Sequence, residues 1–171
     1  MPGNGNAMRI GHGYDLHRLR PQPGVGFCLG GFFVHCDYAV IAHSDGDVLC
    51  HAVIDSLLGA LALGDIGAHF PPSEERWRNA NSLEMLRSVY CTQIQTQGYR
   101  LVNLDCTVIL EKIRLRPLID DIRSHLLGAF ESSEATDINQ ISVKAKTKEG
   151  VDAVGRGEAI EVYASCLLQK R

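Results

Sequence analysis

The sequence predicts an α+β fold, a single domain with one mixed sheet of four to five strands and helices on one face. Three observations predict it. Segments with the two-residue period of strands and the longer period of helices interleave along the chain, without a regular βαβα alternation. A length of 171 residues gives one compact core room to form without staples. No internal repeat or low-complexity stretch divides the chain.

The elements follow in order. Residues 1–7, MPGNGNA, lack the charged and apolar regions of a secretory signal and read as a loose tail or an expression remnant, leaving residues 8–171 as the domain. MRIGHGYDL alternates as a strand, so Asp15 and His17 share a face. RPQPGVG is a Pro/Gly turn, and FCLGGFFVHCDY gives two short apolar runs split at Gly30-Gly31, a hairpin. A helix starts near Asp47, capped by Ser44 or Asp45, and runs to about Leu63 before Gly64. It sets Asp47, His51 and Asp55 on one face, a polar stripe that needs partners if buried. GDIGAHFPPSEERWRN is a loop of about sixteen residues. Asn81 with Glu84 forms a capping box for a second helix whose apolar face holds Leu83, Leu86, Val89, Tyr90 and Ile94, ending at Gly98. RLVNLDCTVIL is a long strand with Leu101, Asn103, Asp105, Thr107 and Ile109 on one side. Pro117 opens a third helix, and INQISVKAKT and AIEVYASCLLQ are the last two strands, joined by KEGVDAVGRGE.

Composition narrows the function. A net charge of −3 offers no general attraction to nucleic acid or to anionic membranes, so a phosphate-bearing ligand has to be held by a local site. No apolar run has the length of a membrane span. Six cysteines without a C-x-x-C pair argue against a Cys-based zinc site and fit a reducing compartment.

Candidate chemistry gathers in three places. Asp15 and His17 on a strand and His51 on a helix supply one carboxylate and two imidazoles, a donor set that leaves an open position on tetrahedral Zn²⁺. Taken alone, however, His51 reads as an ordinary core histidine and Asp15-x-His17 as a solvated strand face. His43 and Ser44 precede a helix, where free N–H groups and the dipole favour an anion; simple capping explains the same residues. Lys144, Lys146 and Lys148 alternate beside Thr147 and Glu149, either an anion-suited strand face or a lysine-protected edge. Arg156, between Gly155 and Gly157, could equally meet an anion or lie in a turn.

RIGHGYDLHRL at 9–19, AHSDGDVLCHAVIDSLLGALALGDIGAHFP at 42–71, NLDCTVILEKIRLRP at 103–117 and VKAKTKEGVDAVGRGEAI at 143–160 together resemble the 2-C-methyl-D-erythritol 2,4-cyclodiphosphate synthase family of the non-mevalonate isoprenoid pathway. The resemblance implies a homotrimer whose sheets pack around a three-fold axis, with active sites between subunits. It implies attack of the 2-phosphate of 4-diphosphocytidyl-2-C-methyl-D-erythritol 2-phosphate on its β-phosphorus, expelling CMP. Carried over by position, Asp15, His17 and His51 would hold Zn²⁺, and Glu149 a second ion, Mg²⁺ or Mn²⁺. His43 and Ser44 would contact phosphate, as would Lys146 and Thr147 on the nucleotide side. Asp65, Ile66 and Gly67 would meet the methylerythritol, while Leu110, Ile113, Arg114, Leu115 and Arg116 would line the cytosine pocket. Arg156 stands where related enzymes place an arginine in a central cavity. The implied location is a bacterial cytoplasm, or a plastid-type organelle after loss of a transit peptide.

Three departures from the family pattern are present: Lys112-Ile113-Arg114 for Arg-Pro-Lys, FPPSEE for F-P-D-T-D, and Asp152-Ala153 for Gly-Phe. The altered loop at 72–75 motivates the competing expectation, a trimeric protein that binds a nucleotide or isoprenoid diphosphate without turnover.

Overall fold

In the computed structural model, residues 7–42, 44–130 and 136–171 are described. Five strands form one sheet in the order β4-β1-β7-β5-β6, with β1 at Met8–Pro21, β4 at Tyr38–Ile41, β5 at Tyr99–Ile109, β6 at Ile141–Lys146 and β7 at Ala159–Lys170. Only the β5–β6 pairing is parallel, so the sheet is mixed. A separate hairpin, β2 (Phe27–Leu29) and β3 (Phe32–Val34), turns at Gly30-Gly31 as expected. The helices α1 (Val48–Ala60), α3 (Ser82–Val89) and α4 (Ile119–Leu127) cover one face of the sheet, and the short α2 (Ile66–His69) and α5 (Asp152–Gly155) lie in connections.

The packing of α1 on β1 sets the frame. A Cβ built on Gly11 would sit 1.8 Å from the Ser56 carbonyl oxygen, and one on Gly13 would sit 2.0 Å from that of Ala52. Helix backbone therefore rests directly on strand backbone, which only glycine permits. Residues two apart on a strand point the same way, so Asp15 and His17 also face the helix layer. Along α1 the contacts step from Ser56 to Ala52, and the next meeting is Asp15 with His51.

Several boundaries differ from expectation. Asp47 itself is the N-cap of α1, in place of Ser44 or Asp45. Its carboxylate accepts from the Cys50 amide at 3.0 Å and from the Gly30 and Gly31 amides at 2.8 and 2.7 Å. The hairpin turn holds Gly30 and Gly31 at positive φ, which presents two amides that need a buried acceptor. Helix α1 stops at Ala60 instead of near Leu63, because Ala62 adopts φ 57° and the Leu63 amide returns to the Leu58 carbonyl. The long 64–79 loop contains α2 and a 3-10 turn at Glu75–Trp77.

Asn81 caps α3 through the Leu83 and Glu84 amides, while Glu84 pairs with Arg87. Beyond Val89 the helix widens into π-type turns at Tyr90–Gln95. The uniform face expected for β5 is broken by a bulge between Leu101 and Asn103. Leu101 is buried, but past the bulge Leu104, Cys106 and Val108 take the core side and Asn103, Asp105, Thr107 and Ile109 the other. Gln140 serves the bulge by donating to the Leu101 and Val102 carbonyls. Strand β6 ends at Lys146, so Lys148 belongs to the following loop and not to the alternating strand face.

The sheet face away from the helices carries large apolar residues in the open, with Ile10 78% and Leu16 43% exposed beside Tyr14 and Tyr163.

Gly13→Ala is expected to cost about 3 kcal/mol or more, because backbone on both sides blocks relief. Gly59→Ala, whose Cβ would meet nothing closer than 3.7 Å, is expected to gain roughly 0.5–1 kcal/mol. Urea denaturation of the two variants side by side measures both.

Candidate metal centre

The Asp15 and His17 side chains leave β1 on the side of α1, and His51 meets them from the second turn of that helix. Asp15 Oδ2 lies 3.0 Å from His17 Nδ1 and 3.0 Å from His51 Nδ1. One carboxylate oxygen and two imidazole nitrogens all fall within 4.8 Å of one another. Burial alone would raise the Asp15 pKa, but the two imidazoles at its oxygen outweigh it and hold the carboxyl well below the usual carboxylate range.

These donors suit a metal ion. His17 Nδ1 is buried and has no hydrogen-bond partner, although it is close to Asp15 Oδ2. One carboxylate oxygen and two imidazole nitrogens that converge on one point are arranged as ligands to a shared cation would be. The outer ring is also fixed. His51 Nε2 lies 2.9 Å from Ser82 Oγ and 3.2 Å from Ser44 Oγ. The Ser82 hydroxyl donates to Asp45 Oδ1 at 2.5 Å, which leaves its oxygen available to accept from a proton on His51 Nε2. The Ser82 amide donates to the other oxygen of Asp45.

The polar stripe on α1 is divided among three partners. Asp47 holds the hairpin, His51 meets Asp15, and Asp55 accepts from the Ile66 amide at 2.7 Å. Asp47 therefore points away from the metal centre, and its carboxylate occupies the helix end that the sequence reading offered to an anion. Asp55 instead ties the 65–67 turn to the helix that carries His51.

Next to the metal centre lies a cavity of about 220 Å³ lined by His17, Ser44, His51, Ile66, Gly67, Phe70, Pro72, Trp77 and Met85. Ile66 and Gly67 thus join the metal centre, whereas Asp65 caps α2 by accepting from the Ala68 amide. Phe70 and Trp77 meet edge to face, with centroids 4.8 Å apart. Sequence reasoning missed Asp45 as a bridge, together with Ser82, Phe70, Trp77 and Met85. Ser82 follows a recognisable cap, but nothing local reveals that its hydroxyl reaches His51. His43 lies outside the described residues.

A second cavity, of about 880 Å³, brings together Leu110, Ile113, Arg114, Leu115 and Arg116 with Lys146 and Thr147. The two cavities share no lining residue. Glu149 is exposed and accepts from Thr147 Oγ1 at 2.8 Å, and Arg156 makes a two-point pair with Glu158.

Ser82→Ala is expected to weaken divalent-metal affinity about tenfold by releasing the His51 ring. Titration against a chelating dye measures it.

The model of the YgbB family matches residues 8–169. A relative from Moorella thermoacetica named 2-C-methyl-D-erythritol 2,4-cyclodiphosphate synthase is 48% identical, covering 96% of each chain. A Treponema denticola relative of the same name is 44% identical over 94% of this chain and 96% of its own. Among solved structures, IspF of Plasmodium falciparum in complex with CDP superposes with TM-score 0.82 at 34% identity, over 99% of both chains. The bifunctional IspDF of Campylobacter jejuni superposes at 0.86 with 32% identity, over 97% of this chain, which spans 43% of that protein. The chain belongs to the YgbB family.

Proposed function

We propose that the chain cyclises 4-diphosphocytidyl-2-C-methyl-D-erythritol 2-phosphate to 2-C-methyl-D-erythritol 2,4-cyclodiphosphate and releases CMP. The observation that carries this reading is the Asp15–His17–His51 group opening on a cavity walled by Ile66 and Gly67. It is supported by relatives that bear the synthase name and by a structural neighbour bound to CDP.

In this reaction an oxygen of the 2-phosphate forms a bond to the β-phosphorus. The bond from that phosphorus to the bridging oxygen breaks, and the electron pair leaves with CMP. The nucleophile is already anionic, so no general base is required. The barrier lies in aligning two polyanions, and positioning with charge neutralisation lowers it. Asp15, His17 and His51 would hold Zn²⁺, and Glu149 a Mg²⁺ or Mn²⁺; bound there, such ions supply Lewis-acid neutralisation of phosphoryl charge.

The chain's own residues orient the substrate. Ser44, with His43 beside it in sequence, is assigned to the phosphate next to the metal centre. Asp65, Ile66 and Gly67 take the methylerythritol, and Lys146 and Thr147 the nucleotide phosphates. Leu110, Ile113, Arg114, Leu115 and Arg116 take the cytosine. Phe70, Pro72, Trp77 and Met85 wall the metal-side cavity with apolar surface, keeping water from competing with the 2-phosphate.

A homotrimer with sites between subunits fits two features. Strands β7 and β5 separate β1, which carries the metal ligands, from β6, which carries Lys146. A substrate reaching a metal centre and a cytosine pocket would then use one cavity from each of two neighbours. The uncovered apolar sheet face, with Ile10, Tyr14, Leu16 and Tyr163, is suited to packing around a three-fold axis, with Arg156 near a central cavity. All six cysteines are free, which fits a bacterial cytoplasm or a plastid-type organelle.

Chromatography of reactions with the cytidyl substrate tests the reading. CMP and the cyclic diphosphate are expected in equal amounts, and His51→Ala or chelation should slow the reaction on the order of a hundredfold or more. Unchanged turnover in Asp15→Ala would overturn the assignment. CDP binding without CMP formation under any divalent ion would favour a binding protein.

A further inference from the structure

Two carboxylates are buried among the described residues, Asp47 and Glu161. Asp47 is accounted for by the hairpin and the start of α1. Glu161 sits on β7 opposite Leu16 of β1 and Ile109 of β5, and is 5% exposed. A buried carboxylate is costly unless it is paired. One of its oxygens accepts from the Tyr14 hydroxyl at 3.1 Å and the other meets Lys148 Nζ. Burial, followed by the bond to Glu161 and its charge, pushes the Tyr14 hydroxyl up to about 12, so it remains a donor at neutral pH.

Lys148 comes from the loop after β6, between Thr147 and Glu149. This loop bends sharply, with φ of 53° at Glu149, 76° at Gly150 and 61° at Asp152. Left-handed backbone is disfavoured at two of those three residues and needs support from its surroundings. Asp152 supplies part of it by accepting from the Val154 amide, with its other oxygen 3.6 Å from Lys148 Nζ. The Lys148 amide donates to Glu111 at 2.8 Å. The Lys148 side chain reaches across to the sheet and ends on Glu161.

We propose that Glu161 is a positioning residue which, through Lys148, holds the loop bearing Lys146, Thr147 and Glu149 in the shape that receives the diphosphate and its second metal ion. The proposal rests on the reading of that loop given above. Lys148 is spent on Glu161 and Asp152, so its charge orders the loop and does not bind the ligand. Glu161 is also in register with Ile109, the last residue of β5 before Leu110 and Glu111, so the anchor stands beside the strand end from which the other wall of the larger cavity begins.

Calorimetric titration of the full chain with CDP across a Mg²⁺ series separates this role from plain stability. Glu161→Gln keeps the volume and an acceptor for Tyr14 but removes the charge that holds Lys148. The Mg²⁺ concentration for half-maximal CDP binding is expected to rise about tenfold, while Zn²⁺ content stays the same. Lys148→Met should give the same rise, and the double variant should be no worse than either single, as for two ends of one link. Half-saturation within about twofold of the unsubstituted chain in both singles, or effects that add in the double variant, would overturn the proposal. If the unsubstituted chain binds CDP but forms no CMP from the cytidyl substrate, the proposed reaction fails while the positioning role is still judged by the binding shift. Absence of Mg²⁺-dependent CDP binding in the unsubstituted chain overturns both.

Discussion

The contact of α1 with the glycine pair of β1 is the constraint from which the rest follows. Without Cβ atoms at Gly11 and Gly13, the carbonyls of Ser56 and Ala52 come down onto the strand. The helix is thereby fixed in height and in rotation, since a small shift would drive backbone into backbone. With that register fixed, the two next inward residues of β1, Asp15 and His17, lie where His51 descends from the helix. The Asp15–His17–His51 group is thus a continuation of a packing motif. Its donor atoms are held by rigid elements, which gives the precision that a site on loops would lack.

The same helix distributes order to its surroundings through polar groups that an apolar core would otherwise exclude. Asp47 satisfies two hairpin amides, Asp55 holds the Ile66 amide, and Ser82 links Asp45 to His51. Each group is buried or half-buried and each has a named partner, so the desolvation cost is offset by charge-assisted hydrogen bonds. The chain from Asp45 through Ser82 to His51 also orients the ring, with an oxygen acceptor at Nε2 and Nδ1 held 3.0 Å from Asp15 Oδ2.

Much of this was legible in the sequence, for reasons particular to each element. The glycine alternation in RIGHGYDLH marks a strand with one small-sided face, and D-x-H places two donors on that face. Apolar periodicity marked α3, Pro117 marked the approach to α4, and Gly30-Gly31 marked the hairpin. What was not legible depends on tertiary partners. The cap passed to Asp47 because a distant turn supplies two amides, and the face of β5 switched because a bulge, served by Gln140, inserts one residue. Ser82, Phe70 and Trp77 come to the metal side through the docking of the 64–82 segment, which no local pattern reports. The stretches 103–117 and 143–160 are adjacent only because β5 and β6 pair in parallel, and that pairing assembles the larger cavity.

The departures from the family pattern find physical accommodation in two of three places. Asp152 takes a left-handed backbone that glycine would adopt freely, and aspartate is among the few side chains that tolerate it, by hydrogen bonding to nearby amides. Its second oxygen lies beside Lys148, whose charge is also met by Glu161, so the substitution is part of a local charge arrangement. Pro72 offers no carboxylate, but it lines the metal-side cavity with Phe70, Trp77 and Met85 and contributes to its apolar wall. Proline at this position keeps the wall apolar where a carboxylate would have brought a further negative charge close to Asp15. Charge is accordingly set apart from this lining, at Asp15 on one side and around Lys146 and Glu149 beyond the intervening strands, with apolar surface beside the Asp15–His17–His51 group.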